Sequence, residues 1–254
     1  MNNFLICTAG ASPALPFAAE ALSQRGLRMT HRPGPDVTHL LLPVPSFEPD
    51  GRIRGGGILE HILADLPGNV TIFGGKLSHQ ALAGYPVADL LLDGAYTAAN
   101  AAITADCAIR VASPRLKVVW EHCPVLIIGW GRIGKCLARQ LKQMGASVTV
   151  AARKDSDRHI LTALGFRAEI PSQLRHQLAA YRIIFNTAPA PVLSQEQLTH
   201  CRKDCIKIEL ASTPGIAGSD VISALGLPGK MAPESSGQLI AQTILRKIAQ
   251  KEAM

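Results

Sequence analysis

The sequence predicts an α/β protein of two doubly wound parallel-sheet domains, the second a Rossmann dinucleotide-binding domain. Three observations carry that expectation. Short apolar runs alternate with helical patterns along the chain, the order that sets parallel strands between layers of helices. Val125-Leu126-Ile127-Ile128 is a continuous apolar run, as a central parallel strand requires because both of its faces are covered. That run enters Gly129-Trp130-Gly131-Arg132-Ile133-Gly134, and a helical pattern follows at once.

The elements justify the two-domain division in order. Residues 4–7, 39–42 and 70–73 read as buried strands, and residues 14–24, 58–66 and 97–112 as helices. Ser113-Pro114-Arg115 breaks the helical pattern and marks the expected junction. The first domain is therefore placed at residues 1–112, flavodoxin- or Rossmann-like and on the substrate side. Strands are then expected at 124–128, 147–151, 182–185 and 205–210, with helices at 132–144 and 160–164. Residues 113–236 are assigned to the Rossmann domain. Residues 237–254 form an amphipathic helix, with Leu239, Ile240, Thr243, Ile244 and Ile248 at helical spacing, expected to pack back on the first domain.

Composition excludes several classes. The 254 residues carry a net charge of +7, with the positive side chains scattered. A nucleic-acid binder concentrates them on one element between aromatics, so no nucleic-acid partner is expected. The same excess suits small anions. Six cysteines include no Cys-x-x-Cys pair, which predicts reduced thiols and a cytoplasmic protein. Cys201 and Cys205 beside His200 match no common zinc spacing, and no metal is expected. The first residues lack the pattern of a signal peptide. No apolar run approaches the roughly 20 residues that span a bilayer, so no membrane partner is expected.

In the glycine loop each glycine has a task. Gly129 permits a tight turn, Gly131 lets the backbone approach a pyrophosphate, and Gly134 lets the helix close on the strand. The helix start offers free N–H groups and partial positive charge to phosphates. The rival frame Gly-x-x-x-x-Gly-Lys of a P-loop fails at Cys136, where Ser or Thr must hold magnesium.

An NAD site usually closes its second strand with an acid that holds the ribose 2′-hydroxyl. Here the strand runs into Ala151-Ala152-Arg153-Lys154, with Ser156 close by. A guanidinium binds a 2′-phosphate by paired charge-assisted bonds. The expected cofactor is NADP, with NAD the alternative. Arg132 is expected to add a phosphate or adenine contact. Beyond two later strands, Asn186, Thr187 and Pro189, and Ala211 and Ser212, leave room for ribose and nicotinamide, with the amide and hydroxyls orienting them. The expected substrate-side groups are Asn100 and Thr104, placed near a helix start, Lys230 as a carboxylate anchor, and Ser235, which with Ser236 is expected to cap the last helix. The sequence offers no Ser-His-Asp or Cys-His nucleophile, His122 and His176 read as surface, and no catalytic acid or base is assigned.

These segments resemble the dipicolinate synthase A-subunit family. The matching pieces are residues 100–105, 125–135, 151–153, 185–190, 209–215 and 227–233, the last reading Leu-Pro-Gly-Lys-Met-Ala-Pro. The resemblance covers the second half well and the first half weakly. It implies a two-domain α/β oxidoreductase that works with a flavoprotein second subunit. That pair converts a tetrahydro- or dihydrodipicolinate of the lysine pathway into the dipicolinate of bacterial spores. The substrate is then a small cyclic dicarboxylate. The chain departs from the family pattern at Ile216-Ala217-Gly218-Ser219-Asp220 and is shorter in its first domain. Two alternatives stand beside it: another two-domain hydroxy- or keto-acid oxidoreductase, and a non-catalytic NADP-binding regulatory subunit. The oligomeric state is open, with a homo-oligomer among the options.

Overall fold

The computed structural model describes residues 4–252, so the last two residues of the 237–254 segment lie outside the described ones. The chain divides into two compact units. One comprises the residues up to Asn100 together with those from Pro228 onward, and the other runs from Ala101 to Leu227.

In the first unit, β1 (Leu5–Thr8), β2 (Arg28–Thr30), β3 (His39–Leu41), β4 (Thr71–Gly74) and β5 (Val87–Asp89) form a sheet in the order β2-β1-β3-β4-β5. Every pairing is parallel. Neighbouring residues point to opposite faces of a strand, so a run with no polar break covers both. Ile6, Leu41 and Phe73 pack on one side with α1 (Leu15–Gln24) and α8 (Pro233–Glu252). Cys7, Leu40 and Ile72 pack on the other with α2 (Leu59–Ala64). Asp93 caps α3 (Gly94–Ala112), accepting from the Tyr96 N–H at 2.9 Å, and therefore starts that helix three residues before the expected Thr97. That hydrogen bond, with Lys247 and Arg246 beside it, holds the Asp93 carboxyl well below the usual carboxylate range.

In the second unit, β6 (Pro124–Ile128), β7 (Ser147–Ala151), β8 (Arg167–Glu169), β9 (Ile183–Asn186), β10 (Ile206–Glu209) and β11 (Val221–Ser223) lie in the order β11-β10-β9-β6-β7-β8, again all parallel. In strand order this is 3-2-1-4-5-6, the dinucleotide-binding arrangement, while the first sheet has the flavodoxin-like order 2-1-3-4-5. The expected α/β architecture of two doubly wound sheets is what the chain forms. α4 (Arg132–Gln143) buries Leu137, Ala138 and Leu141 and packs on β6 and β7. α5 (Asp155–Ala163) starts five residues earlier than expected, because Asp155 and Asp157 in its first turn favour a helix N-terminus.

Three expectations need correction. The units divide inside α3, between Asn100 and Ala101, and not at Ser113-Pro114-Arg115. That tripeptide forms one 3₁₀ turn continuing the helix, which Pro tolerates in a first turn. Residues 226–237, whose Gly and Pro content reads as a loop leading into the last helix, are largely helical. Pro228 and Pro233, set in first turns, start α7 (Leu227–Met231) and α8. Ser235 and Ser236 consequently lie inside the first turn of α8 and do not cap it. Asn100 is the seventh residue of α3 rather than near its start.

His39 sits buried beside Phe73, the ring centroids 5.5 Å apart and nearly parallel, with Thr38 Oγ1 2.9 Å from its Nδ1. Burial, helped by the charge of Lys251, lowers its pKa from 6.5 to about 4. The unfolded chain takes up this proton near pH 6.5 and the folded chain resists, so the stability is present above pH 6.5 and is lost as pH falls toward 4. The expected loss is about 3 kcal/mol between those limits. Urea unfolding at pH 7 and pH 4.5 measures it, and the loss should be clearly smaller in His39→Leu; an equal loss in both proteins would refute the assignment.

Candidate functional site

A doubly wound sheet binds ligands beyond the carboxyl ends of its strands, where the order reverses. In the second sheet that point lies between β6 and β9. Ile128 is in register with Ala151 on one side and Asn186 on the other, and Asn186 is in register with Glu209. The segments after these strands are thus brought together. They contain the glycine loop, Ala152-Arg153-Lys154, residues 186–190 and residues 211–216.

The glycine loop follows β6. Gly129 has φ +107°, a conformation L side chains rarely adopt, and a Cβ there would lie 2.5 Å from Thr187 Oγ1. At Gly134 a Cβ would collide with the Gly129 carbonyl oxygen. Both glycines are demanded by the fold. Gly131 differs. Its backbone is extended, and a Cβ would meet nothing within 4 Å. No side chain caps α4, so the N–H groups of its first turn, Arg132, Ile133 and Gly134, have no intrahelical acceptor. Open space beside free N–H groups fits an approaching phosphate. Arg132 is exposed and Ile133 half-buried. Trp130 turns its indole aside, edge-on to Phe166 at 6.0 Å and with Lys135 Nζ 5.7 Å from the ring, so its contribution to the loop is by backbone.

At the end of β7, Ala152 is buried, and Arg153 and Lys154 are exposed. The nearest acid, Asp155, is taken by Arg158 at 2.7 Å. The same guanidinium donates to the Ala152 and Arg153 carbonyls at 2.9 and 2.8 Å. Arg158 thus fixes the shape of this loop, a role its exposed-looking helical position concealed in the sequence.

Asn186 was expected to orient a ligand with its amide. The structure places that amide elsewhere. Nδ2 donates to both Glu209 carboxylate oxygens at 2.8 and 3.0 Å and to the Ala188 carbonyl, while Oδ1 accepts from the Ala188 N–H. Glu209 also accepts from the backbone N–H groups of Ala211 at 3.0 Å, Gly215 at 2.8 Å and Ile216 at 3.2 Å. It is 3 % exposed. Glu209 was not singled out from the sequence. The signal was available as an acid closing one strand, Ile206–Glu209, and an amide closing another, Ile183–Asn186. Thr187 hydrogen-bonds the Ile128 carbonyl through N and Oγ1. Pro189 and Ser212 are exposed and Ala211 is buried.

The other candidates lie on helices. Thr104 is buried in α3, and Asn100 precedes it by one turn in the same helix. Lys230 in α7 and Ser235 in α8 are both exposed. Among the described residues no three His, Cys, Asp or Glu side chains group to hold a metal. His200 receives a hydrogen bond from Arg175 at 3.1 Å. No helix among the described residues is long and apolar enough to cross a membrane.

Comparison with known proteins agrees with this geometry. Residues 110–226 match the NAD-binding domain of the D-isomer specific 2-hydroxyacid dehydrogenases. The dipicolinate synthase A-subunit of Bacillus subtilis is 28 % identical over 162 residues, which is 61 % of this chain and 54 % of that protein. The chain therefore aligns in sequence with about half the length of that relative. Two crystal structures of the dipicolinate synthase A-subunit share the fold, each at 20 % identity. One is from Bacillus halodurans (TM-score 0.85, 98 % of each chain) and the other from Bacillus subtilis (TM-score 0.84, 100 % of this chain and 98 % of that one). The resemblance to the dipicolinate synthase A-subunit drawn from the sequence holds, and a nicotinamide dinucleotide is the cofactor of the matched domain.

Two substitutions separate folding from binding. Glu209→Ala strands an amide and three backbone N–H groups, and its expected cost is about 3 kcal/mol or more, read by thermal or urea unfolding; a cost within about 0.5 kcal/mol, as for surface changes, would show that the network is not structural. Gly131→Ala should cost at most about 1 kcal/mol while weakening NADPH binding about tenfold or more, measured by titration. Unchanged NADPH affinity would place the phosphates away from this loop.

Proposed function

We propose that this chain is an NADP-dependent oxidoreductase subunit of the dipicolinate synthase type. It would act on a small cyclic dicarboxylate, dihydrodipicolinate or its hydroxy-tetrahydro precursor, together with a flavoprotein second subunit in the cytoplasm. The observation that carries the cofactor choice is the end of β7. It presents exposed Arg153 and Lys154 where an NAD site has an acid, and the exposed Asp155 is paired with Arg158. A 2′-phosphate there would meet two cations.

The residues present fit the dinucleotide. Gly131 and the first turn of α4 hold the pyrophosphate, and Arg153 with Lys154 holds the 2′-phosphate. The loops after β9 and β10 line the ribose and nicotinamide side. When bound, the nicotinamide supplies a hydride acceptor or donor. The protein's own part is to hold charge and to shape the loops. Glu209 keeps the loops after β9 and β10 in one arrangement, so ordering them costs nothing at binding. Lys230 is the proposed carboxylate anchor, with Ser235, Asn100 and Thr104 as further substrate-side groups. The match of residues 110–226 to 2-hydroxyacid dehydrogenases supports a second reading, a reductase of another hydroxy or keto acid on the same cofactor domain.

Titration of the protein with NADPH and NADH tests the cofactor. NADPH should bind about tenfold tighter or more, a gap of about 1.4 kcal/mol, and Arg153→Ala should abolish the preference. Equal affinities would remove the NADP assignment, and no binding of either nucleotide would remove the oxidoreductase function. Hydride transfer with dihydrodipicolinate, set against a panel of 2-keto acids, then separates the two substrate readings.

A further inference from the structure

The first sheet has a switch point of its own. The chain leaves β1 for β2 on one side and returns to β3 on the other, so the carboxyl ends of β1 and β3 diverge. The same rule that places a ligand in the second sheet applies here. Two glycine-bearing segments meet at this point. One is Gly10-Ala11-Ser12, directly after β1. The other is Arg54-Gly55-Gly56-Gly57, on the connection from β3 to α2. The Ala11 N–H donates to the Arg54 carbonyl at 2.8 Å. Gly10 and Gly55 have φ of +77° and +80°. A Cβ on Gly10 would lie 2.5 Å from Ile53 Cγ2 and 3.2 Å from Pro43 Cδ, and one on Gly55 would collide with Ala11. The segments are therefore interlocked by backbone, a fixed frame and not a loose loop.

That frame carries one cation with unmet bonding. Arg54 Nε is shielded from solvent and has no hydrogen-bond partner among the described residues. A buried guanidinium donor left unpaired costs free energy and calls for an acceptor. The ion pair from Arg54 Nη2 to Glu48 spans 3.6 Å, with both side chains about 40 % exposed (40 % and 43 %), so it is loose and solvent-screened. The neighbouring Arg52, by contrast, is closed on Asp50 at 2.7 Å. Arg54 is thus the cation at this switch point with donors to give. Its fork of N–H groups matches the two oxygens of a carboxylate. Ser12, half-buried in the facing segment, adds a hydroxyl, and the exposed glycines 55–57 leave the approach clear of side chains.

We propose that the switch point of the first sheet is a carboxylate-binding subsite in which Arg54 is the anchoring cation and the Gly10–Ser12 segment its facing wall. It deepens the dicarboxylate reading of the chain, on which the identity of its ligand rests. Arg54 would then grip a carboxylate that Lys230 does not.

Isothermal titration of the full chain with dipicolinate (pyridine-2,6-dicarboxylate) and, separately, with succinate tests this, on wild type, Arg54→Ala and Arg54→Lys, with NADPH titrated into each. Dipicolinate affinity should fall about tenfold or more in Arg54→Ala and recover in part in Arg54→Lys, whose point charge keeps the attraction without the fork. NADPH affinity should stay within about twofold in all three, which shows that the variants are folded. Equal dipicolinate affinity in wild type and Arg54→Ala overturns the subsite and leaves the dicarboxylate function standing. Succinate binding that needs Arg54, with no dipicolinate binding, upholds the subsite and removes the dipicolinate function. Binding of neither carboxylate overturns the subsite and the dicarboxylate function alike, while retained NADPH binding keeps the cofactor assignment.

Discussion

The arrangement of the second sheet's carboxyl edge depends on one buried carboxylate. Glu209 ends β10 and gathers the Asn186 amide and the N–H groups of Ala211, Gly215 and Ile216. An unpaired charge in that position would cost several kcal/mol. Hydrogen bonds to both oxygens meet that cost, and they come from three separate stretches of chain. Two loops that sequence alone would leave independent are therefore one rigid unit. The same bonds explain why the Asn186 amide is not free to touch a ligand. Its task is to link strands.

Around that edge the chain separates two kinds of glycine. Gly129 and Gly134 are crowded by Thr187 and by each other, so the strand-to-helix turn cannot be built without them. Gly131, midway between, faces open space and has an ordinary backbone. Its lack of a side chain gains the fold little. It gains a ligand an unobstructed path to three N–H groups. In the first sheet Gly10 and Gly55 are both of the crowded kind, and there the unmet donor is a side chain, Arg54.

What the sequence made legible follows from how strands are buried. The runs around Ile6, Leu40, Ile72, Leu126 and Ile184 are apolar on both faces and are readable as central strands. Arg28–Thr30, Val87–Asp89, Arg167–Glu169 and Val221–Ser223 are three-residue edge strands with polar ends. They carry neither a run nor an alternation, and their pairing comes only from the neighbour they meet. The start of α8 was hidden for another reason. Pro and Gly between residues 226 and 237 suggest a loop, yet two of those prolines occupy first turns, where a missing N–H costs nothing. In the site, the glycine loop and the Arg153-Lys154 pair were legible because their spacing is local. Glu209 and Arg158 were not, because their partners are brought to them by the fold.

The proposed preference for NADP turns on Arg158 more than on Arg153. A basic residue at the end of β7 does not by itself exclude NAD, since Asp155 lies two residues further on and a carboxylate there is what a ribose hydroxyl seeks. Arg158 settles which charge remains. Its guanidinium pairs with Asp155 and at the same time holds the carbonyls of Ala152 and Arg153, so the acid is engaged and the loop that carries Arg153 is fixed by the same group. The charges left uncompensated on this loop are Arg153 and Lys154. A hydroxyl gains little from two such cations, whereas a 2′-phosphate gains charge-assisted bonds from both. In the proposed site, discrimination would come from the polar group the other dinucleotide lacks, the kind of difference that a binding site exploits most strongly.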